Sequence, residues 1–168
     1  MTNPSTTDLH SANEIQRIAA LQPYKLITTS ADPFFDHIVQ HTAEIFEVPM
    51  ALISLVDLHE VFFKATVGAD GILSIPREKS LCTMAILNSE PMILNYGEKE
   101  KCLLSTSIIA GEYGLKFYAS VPLIEPSGLI IGTLSITDKK TRTFSEHQVQ
   151  IMKNLASMIM KEMNSRLK

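Results

Sequence analysis

The chain has 168 residues, of which 45% are hydrophobic and 20% are charged, and its formal net charge is −3. These proportions are typical of a single globular domain and argue against disordered and collagen-like proteins. No apolar run reaches the roughly 18 residues that a membrane span needs, and the basic residues form no cluster beyond Lys139 and Lys140. We therefore expect no membrane insertion and no nucleic-acid interface.

The N-terminus is polar and lacks the pattern of a signal peptide, so we expect a cytoplasmic protein whose two cysteines stay reduced. Residues 1–10 are expected to form a disordered tail, and residues 11–168 a single domain. Ser11 and Glu14 have the spacing of a capping box, which predicts that the first helix begins there. Asp32 followed by Pro33 predicts the start of the second helix. Its inner stripe should consist of Phe35, Ile38, Thr42, Ile45 and Phe46.

After Pro49 the sequence changes to β-branched and aromatic runs that are typical of strands. The runs "MALISLVD" and "EVFFKATVG" predict one hairpin, and "KFYASVPLI" and "LIIGTLSITD" predict a second around the turn "EPSG". "PMILN" predicts a short strand, "ADGILSIPR" a loop, and "SLCTMAILN" a short helix capped by Ser80. A long final helix should begin at a capping box of Ser145 and Gln148. This order of elements indicates an α+β fold.

Several separated motifs occur in one order along residues 14–163. They are "FFDHIVQHTAEIFEVPMALISLVD", "FFKATVG", Arg77-x-x-Ser80-Leu81-Cys82-x-x-Ala85-Ile86, "GLKFYASVPL" and "GLIIGTLSITDKKTRTFSEHQ". Together they resemble the GAF domain family, which consists of small-molecule sensor domains of signalling proteins. The resemblance implies a six-stranded antiparallel sheet, with the terminal helices on one face and a ligand pocket on the other. It also implies that terminal helices pair between subunits. Such domains are usually fused to a kinase or cyclase output module, and we expect the signal of this domain to leave through a separate signalling output protein or through the helices themselves.

One departure concerns the family's Asp-x-Arg-Phe stretch, which is Glu100-Lys101-Cys102-Leu103 here.

The strand "LIIGTLSITD" carries a more informative pattern. Alternation places Ile130, Gly132, Leu134 and Ile136 on one face and Leu129, Ile131, Thr133, Ser135 and Thr137 on the other. We expect Gly132 to let a helix approach closely. In "MALISLVD" the corresponding mixed set is Met50, Leu52, Ser54 and Val56.

A face that combines apolar side chains with a few hydroxyls suits either a small-molecule pocket or a surface partly open to water. The resemblance to GAF domains favours the pocket. The predicted ligand-binding residues are Phe63, Arg77, Ser80, Cys82, Tyr118, Ser120, Thr133 and Ser135. Arg77 would contact an anionic ligand and Tyr118 would offer a stacking surface. Alternatively, Arg77 is a rim residue that pairs with Glu78 or Glu60.

The cysteines and histidines suggest less specific chemistry. A helix start at Ser80 would favour a thiolate at Cys82, but no basic residue nearby in the sequence supports a nucleophile, and a buried free cysteine is commonly structural. His37, His41 and Glu44 are spaced one helical turn apart, as metal ligands can be, but they belong to a polar helix face that water would cover. We predict no metal, no cofactor and no catalytic residue.

The sequence therefore predicts a non-catalytic sensor that binds a small organic or nucleotide-like ligand over the sheet. Two alternatives are a thiol oxidoreductase that acts on an oxidised metabolite through Cys82 or Cys102, and an interaction module without a ligand. We also predict a homodimer through the terminal helices. Its interface would include Ile151 and Met158, because these two residues extend the apolar surface beyond the stripe of Met152, Leu155, Ile159 and Met163.

Overall fold

The structure is a computed structural model that describes residues 6–25, 32–69, 71–95 and 114–167, without the side chains of residues 6–12. Its helices are α1 (Thr6–Lys25), α2 (Pro33–Phe46), α3 (Cys82–Ala85) and α4 (Glu146–Ser165). Its strands are β1 (Met50–Val56), β2 (Glu60–Val67), β3 (Ser74–Pro76), β4 (Met92–Asn95), β5 (Phe117–Ile124) and β6 (Ile130–Asp138). Cys102 and the Glu100–Leu103 departure lie outside the described residues.

The strands form a six-stranded sheet in the order β3-β2-β1-β6-β5-β4, and every adjacent pair is antiparallel. The α+β fold and both hairpins are confirmed, and pairing of β1 with β6 joins the hairpins at the centre of the sheet. The prediction of a loop for "ADGILSIPR" was wrong at β3, which pairs Pro76 with Glu60 at the sheet edge. A proline is tolerated there because the outer side of an edge strand pairs with no further strand and therefore needs no backbone N–H donor.

Three helices cover one face of the sheet, and we call it the helix face. Its core joins residues of α1, α2 and α4 to inward-facing residues of the strands, among them Leu21, Phe35, Leu134, Ile136 and Ile159. Ile45 is 41% exposed, so its place in the predicted inner stripe of α2 was wrong; Val39 and Ala43 are buried instead. The predicted stripe of α4 is confirmed as buried.

Helix ends follow the predicted caps in α2 and α4 but not in α1 and α3, since the N-cap of α3 is Leu81 and not the predicted Ser80. The Asp32 carboxylate accepts a hydrogen bond from the Phe34 N–H, and Ser145 and Gln148 form the reciprocal capping box of α4. Ser11, however, lies inside α1, because this helix begins at Thr6. Glu14 is therefore released from a capping role and forms ion pairs instead.

Gly132 is required where β6 passes β1. A Cβ atom on Gly132 would lie 1.9 Å from the Ser54 carbonyl oxygen, so the close neighbour is the backbone of β1 and not a helix. The alternation also shifts here: Leu123 pairs with Gly132 and Ile124 with Ile130, which leaves Ile131 as an extra residue. Ile131 consequently belongs to the helix face, while Ile130 packs on the opposite side, the reverse of simple alternation.

A candidate ligand site on the hydroxyl face

The sheet face opposite the terminal helices carries a group of hydroxyl side chains, and we call it the hydroxyl face. The register pairs Thr133 with Ser54 across β6 and β1, and Ser135 with Ser120 across β6 and β5. Thr137 pairs with Tyr118 in the same way. These side chains are all buried. The sheet therefore brings five predicted or neighbouring hydroxyl positions and a phenol onto one continuous surface.

Apolar residues surround these hydroxyls and form a second core, separate from that of the helix face. This second core includes Met50, Leu52, Val56, Leu81, Cys82, Leu94 and Tyr118, and the partly buried Phe63 packs against it. Helix α3 contributes to it directly, so the segment that follows β3 returns across the hydroxyl face. Seven of the eight predicted site residues lie on or beside this surface. The eighth, Arg77, contacts Glu14 of α1 instead.

Cys82 is held by short polar contacts at the start of α3. The Ser80 hydroxyl oxygen accepts a hydrogen bond from the Cys82 N–H at 3.1 Å, which explains why the chain turns into the helix at this point. The Thr133 hydroxyl donates to the Cys82 sulfur at 3.3 Å, and the Tyr118 hydroxyl lies 3.7 Å from the same sulfur. Its polar partners in the described part of the chain are thus neutral groups, and a thiolate would meet no cation among them.

Tyr118 is almost completely buried and remains a neutral phenol at physiological pH. Burial raises the pKa of Tyr118 well above its ordinary value, and the neighbouring Cys82 raises it further. The nearby hydroxyls of Ser120 and Ser135 oppose part of the rise, although Ser135 forms no hydrogen bond of normal geometry with the described residues. A neutral phenol can both donate and accept a hydrogen bond. The polar edge of this residue therefore faces the hydroxyls and the thiol without carrying a charge.

Three buried hydroxyl oxygens, those of Ser54, Ser135 and Thr137, have no hydrogen-bond partner among the described residues. Leaving a buried hydroxyl unpaired costs roughly 1–3 kcal/mol, and native structures contain few such groups. Ser54 and Thr137 were missing from the predicted site, although alternation along β1 and β6 already placed them in the same sets as the predicted residues. Alternation was thus the signal that could have found them.

Arg77 occupies a different position from the one predicted. Its guanidinium binds the Glu14 carboxylate of α1 and donates to the Asp57 carbonyl at 3.1 Å, so it pairs with neither Glu78 nor Glu60. Glu14 also receives two hydrogen bonds from the buried Arg17. Burial would raise the pKa of Glu14, but hydrogen bonds and charges from both arginines outweigh it and lower the pKa to about 2. Arg77 therefore fastens α1 to the segment that leads into α3.

Two further features lie away from the hydroxyl face. A groove of about 740 Å³ runs between β5 and α4 on the helix face, with Val121, Ala156 and Met160 in its lining and Lys153 and Lys161 beside them. Three residues with the spacing of metal ligands, His37, His41 and Glu44, are exposed on α2. Within the described ranges, no group of three or more His, Cys, Asp or Glu side chains could hold a metal ion. No described helix has the length and hydropathy needed to cross a membrane.

Comparison with known proteins agrees with this architecture. The family model of the GAF domain matches residues 30–163. The chain belongs to the GAF domain family. GAF domains are small-molecule sensor domains, and the match spans the sheet, α3 and most of α4, so it includes the hydroxyl face.

A curated relative, a cyclic di-GMP phosphodiesterase of Pseudomonas aeruginosa, is 30% identical over 160 residues, which are 95% of this chain. The chain matches only 26% of that protein's length. The GAF domain of a phosphoenolpyruvate-protein phosphotransferase from Acinetobacter superimposes with a TM-score of 0.64 at 17% identity, covering 89% of this chain and 94% of the other.

A free methionine-R-sulfoxide reductase from Neisseria meningitidis, solved with its substrate, has the same TM-score of 0.64 at 18% identity. The superposition covers 85% of this chain and 84% of the reductase chain. Both structures establish the fold and leave the chemistry of this GAF domain to its own residues.

Proposed function

We propose that this GAF domain is a sensor that binds a small molecule on the hydroxyl face. The observation that carries the proposal is the set of fully buried hydroxyls of Ser54, Ser135 and Thr137, which have no hydrogen-bond partner in the described part of the chain. They share one face with the hydrogen-bonding groups of Cys82 and Tyr118. A protein that did not use these groups would gain stability by replacing them with apolar side chains.

The spacing of the hydroxyls excludes a single water that bridges two of them and suits a ligand with several polar atoms. Ser135 and Thr137 are two residues apart on β6, which separates them by about 7 Å along the strand. One water molecule forms hydrogen bonds of about 2.8 Å and therefore cannot bridge both hydroxyls. A molecule with several polar atoms can contact both, while the surrounding apolar residues supply contact area.

The experiment is mass spectrometry of the small molecules that the purified protein releases on gentle denaturation. We expect a single species at a substoichiometric or stoichiometric ratio, and we expect Thr137→Val to lower its amount because valine keeps the shape of threonine and removes the hydroxyl. Tyr24→Phe is the control, since it removes a buried hydroxyl from the helix face. The proposal would be refuted if both variants released equal amounts. It would also be refuted if no molecule, whether co-purified or added, bound in a manner that depends on Thr137.

We further propose that the domain acts as a homodimer and regulates a signalling output. Met158 of α4 is 52% exposed and Ile15 of α1 is 71% exposed, which leaves apolar surface on both terminal helices. Ile151 packs partly against the core of its own helix face, so it would contribute less to an interface than Met158. The matched region of the Pseudomonas phosphodiesterase supports a regulatory role, because it forms about a quarter of a longer signalling enzyme.

Analytical ultracentrifugation tests the dimer. We expect a dimer at tens of micromolar for the wild type and a folded monomer for Met158→Glu, since a charge in an apolar interface is not compensated. Gln150→Glu introduces the same charge change at an exposed polar position of α4 and should remain dimeric. A wild type that sediments as a monomer would contradict the proposal.

A further inference from the structure

The side chains that β1, β5 and β6 present on the hydroxyl face are uncharged. Alternation from Met50 on β1, from Tyr118 on β5 and from Thr133 on β6 presents hydroxyls, a phenol and aliphatic groups. Cys82 adds a thiol from α3. All of these groups can act as hydrogen-bond donors, acceptors or apolar contacts, and the hydroxyls, the phenol and the thiol are at most a few per cent exposed.

The cations that flank the predicted site residues in sequence are directed elsewhere. Lys64, which follows Phe63, sits where the register with β1 shifts, and its ammonium group lies over the Phe35 ring of the helix face at 5.4 Å from the ring centroid. Arg77 is bound to Glu14. Lys79, beside Ser80, is exposed. Lys64 and Arg77 therefore lie against groups outside the hydroxyl face, and Lys79 faces solvent, so none of these three cations is placed to compensate a buried anion there.

Burying an ion costs several kcal/mol unless an opposite charge or a full set of hydrogen bonds compensates it. Neutral hydroxyls in an apolar surround supply weaker compensation than an arginine or a lysine would. We propose that the hydroxyl face binds an uncharged, hydrogen-bonding molecule with polar atoms about 7 Å apart, the spacing of neighbouring hydroxyls on β6. This inference rests on the proposed sensor function and assigns the chemical class of its ligand.

Matched pairs of compounds that differ by one charge test the inference directly. We would titrate wild-type protein with bicyclic amides and the corresponding carboxylates, such as indole-3-carboxamide and indole-3-carboxylate, at neutral pH and follow binding by calorimetry or ligand-observed NMR. Each pair is also titrated into Thr137→Val and into the helix-face control Tyr24→Phe. In parallel, the molecule released from the purified protein is identified by mass spectrometry in both ionisation modes, and its charge at neutral pH follows from its structure.

We expect the amide of a binding pair to have a Kd at least about 10-fold lower than that of its carboxylate. Thr137→Val should weaken amide binding by about 5- to 10-fold, the loss of one hydrogen bond, while Tyr24→Phe leaves it unchanged. Salt should not alter the amide Kd, because no ion pair forms. The released molecule should be uncharged at neutral pH.

The opposite results separate the two proposals. Carboxylates that bind as tightly as amides with the same dependence on Thr137, or an anionic released molecule, would overturn the assignment of an uncharged ligand and leave the sensor function standing. If no compound binds in a Thr137-dependent manner and no molecule is released, the sensor function itself fails and the ligand class fails with it.

Discussion

The two faces of the sheet are built from the same strands, but they treat their polar groups differently. On the helix face, the Tyr24 hydroxyl donates to the Asn164 side-chain oxygen at 2.6 Å, and the Thr42 hydroxyl donates to the Ile38 carbonyl at 2.6 Å. On the hydroxyl face, Ser54, Ser135 and Thr137 are equally buried and have no such partner among the described residues.

The difference indicates what each face is optimised for. A face whose polar groups are all paired and whose remaining contacts are apolar maximises the stability of the fold. A face that keeps unpaired hydroxyls gives up roughly 1–3 kcal/mol for each group in the ligand-free protein. Such a loss is expected where a ligand supplies the missing partners, and it is not expected in a surface that serves only to pack.

The strongest test of the comparison uses two neighbouring residues of β6 that point to opposite faces. We expect Leu134→Ala on the helix face to lower the free energy of unfolding by about 3 kcal/mol, because it leaves a cavity in a fully buried core. Ser135→Ala on the hydroxyl face should cause no loss in ligand-free protein. Urea unfolding followed by circular dichroism measures both, since the chain contains no tryptophan.

Equal losses for Leu134→Ala and Ser135→Ala would show that both faces are packed for stability, and the contrast between them would disappear.

A second pair compares buried hydroxyls with and without a partner. Tyr24→Phe should cost about 1 kcal/mol, because it breaks a good hydrogen bond and leaves Asn164 unsatisfied. Thr137→Val should leave the stability of the ligand-free protein unchanged or raise it by up to about 2 kcal/mol, because it removes a buried hydroxyl that has no partner among the described residues.

Urea unfolding of the wild type, Tyr24→Phe and Thr137→Val measures both changes in the free energy of unfolding, once any bound small molecule has been removed from the protein. A clear loss for Thr137→Val would mean that its hydroxyl is satisfied in the folded protein, contrary to the comparison of the two faces. The nearly isosteric exchanges matter here, since neither replacement leaves a large cavity that would obscure the effect of the hydroxyl.

A further effect of similarly small size concerns the connection between the faces through Glu14 and Arg77. The pKa of Glu14 is lowered to about 2 in the folded protein from 4.5, so its ionised form stabilises the fold at pH values above about 4.5. This contribution is lost as the pH falls from about 4.5 towards 2. Glu14→Gln should cost about 1 kcal/mol at pH 7, since the partly exposed pair is screened by solvent.

Urea unfolding of the wild type and of Glu14→Gln across this pH range measures the difference. We expect the gap between the two proteins to narrow steadily as the pH decreases, because the wild-type carboxylate becomes protonated and its ion pairs with Arg17 and Arg77 are lost. A gap that stays constant with pH would show that Glu14 does not hold α1 through its charge. Glu78→Gln, an exposed acidic residue beside Arg77, is the matched control and should show no gap.

Sequence alone determined most of the secondary structure, because local physics controls those features. Period-two runs specified β1, β2, β5 and β6, and side-chain caps specified the starts of α2 and α4, where Asp32 and Ser145 accept hydrogen bonds from nearby backbone N–H groups. The same alternation placed Thr133 and Ser135 on one face. Each of these signals depends on residues that are near one another in the chain.

Tertiary structure decided the features that depend on distant partners. Gly132 is needed because the Ser54 carbonyl passes close to it, the extra residue at Ile131 arises from the pairing of β5 with β6, and Arg77 is turned away by Glu14, 63 residues earlier. Sequence could identify Arg77 as a cation near the site but not its partner. Likewise, alternation identified the hydroxyls of Ser54 and Thr137, whereas only the packed sheet determines that they are buried without partners among the residues the structure describes, because burial and pairing are properties of the assembled fold.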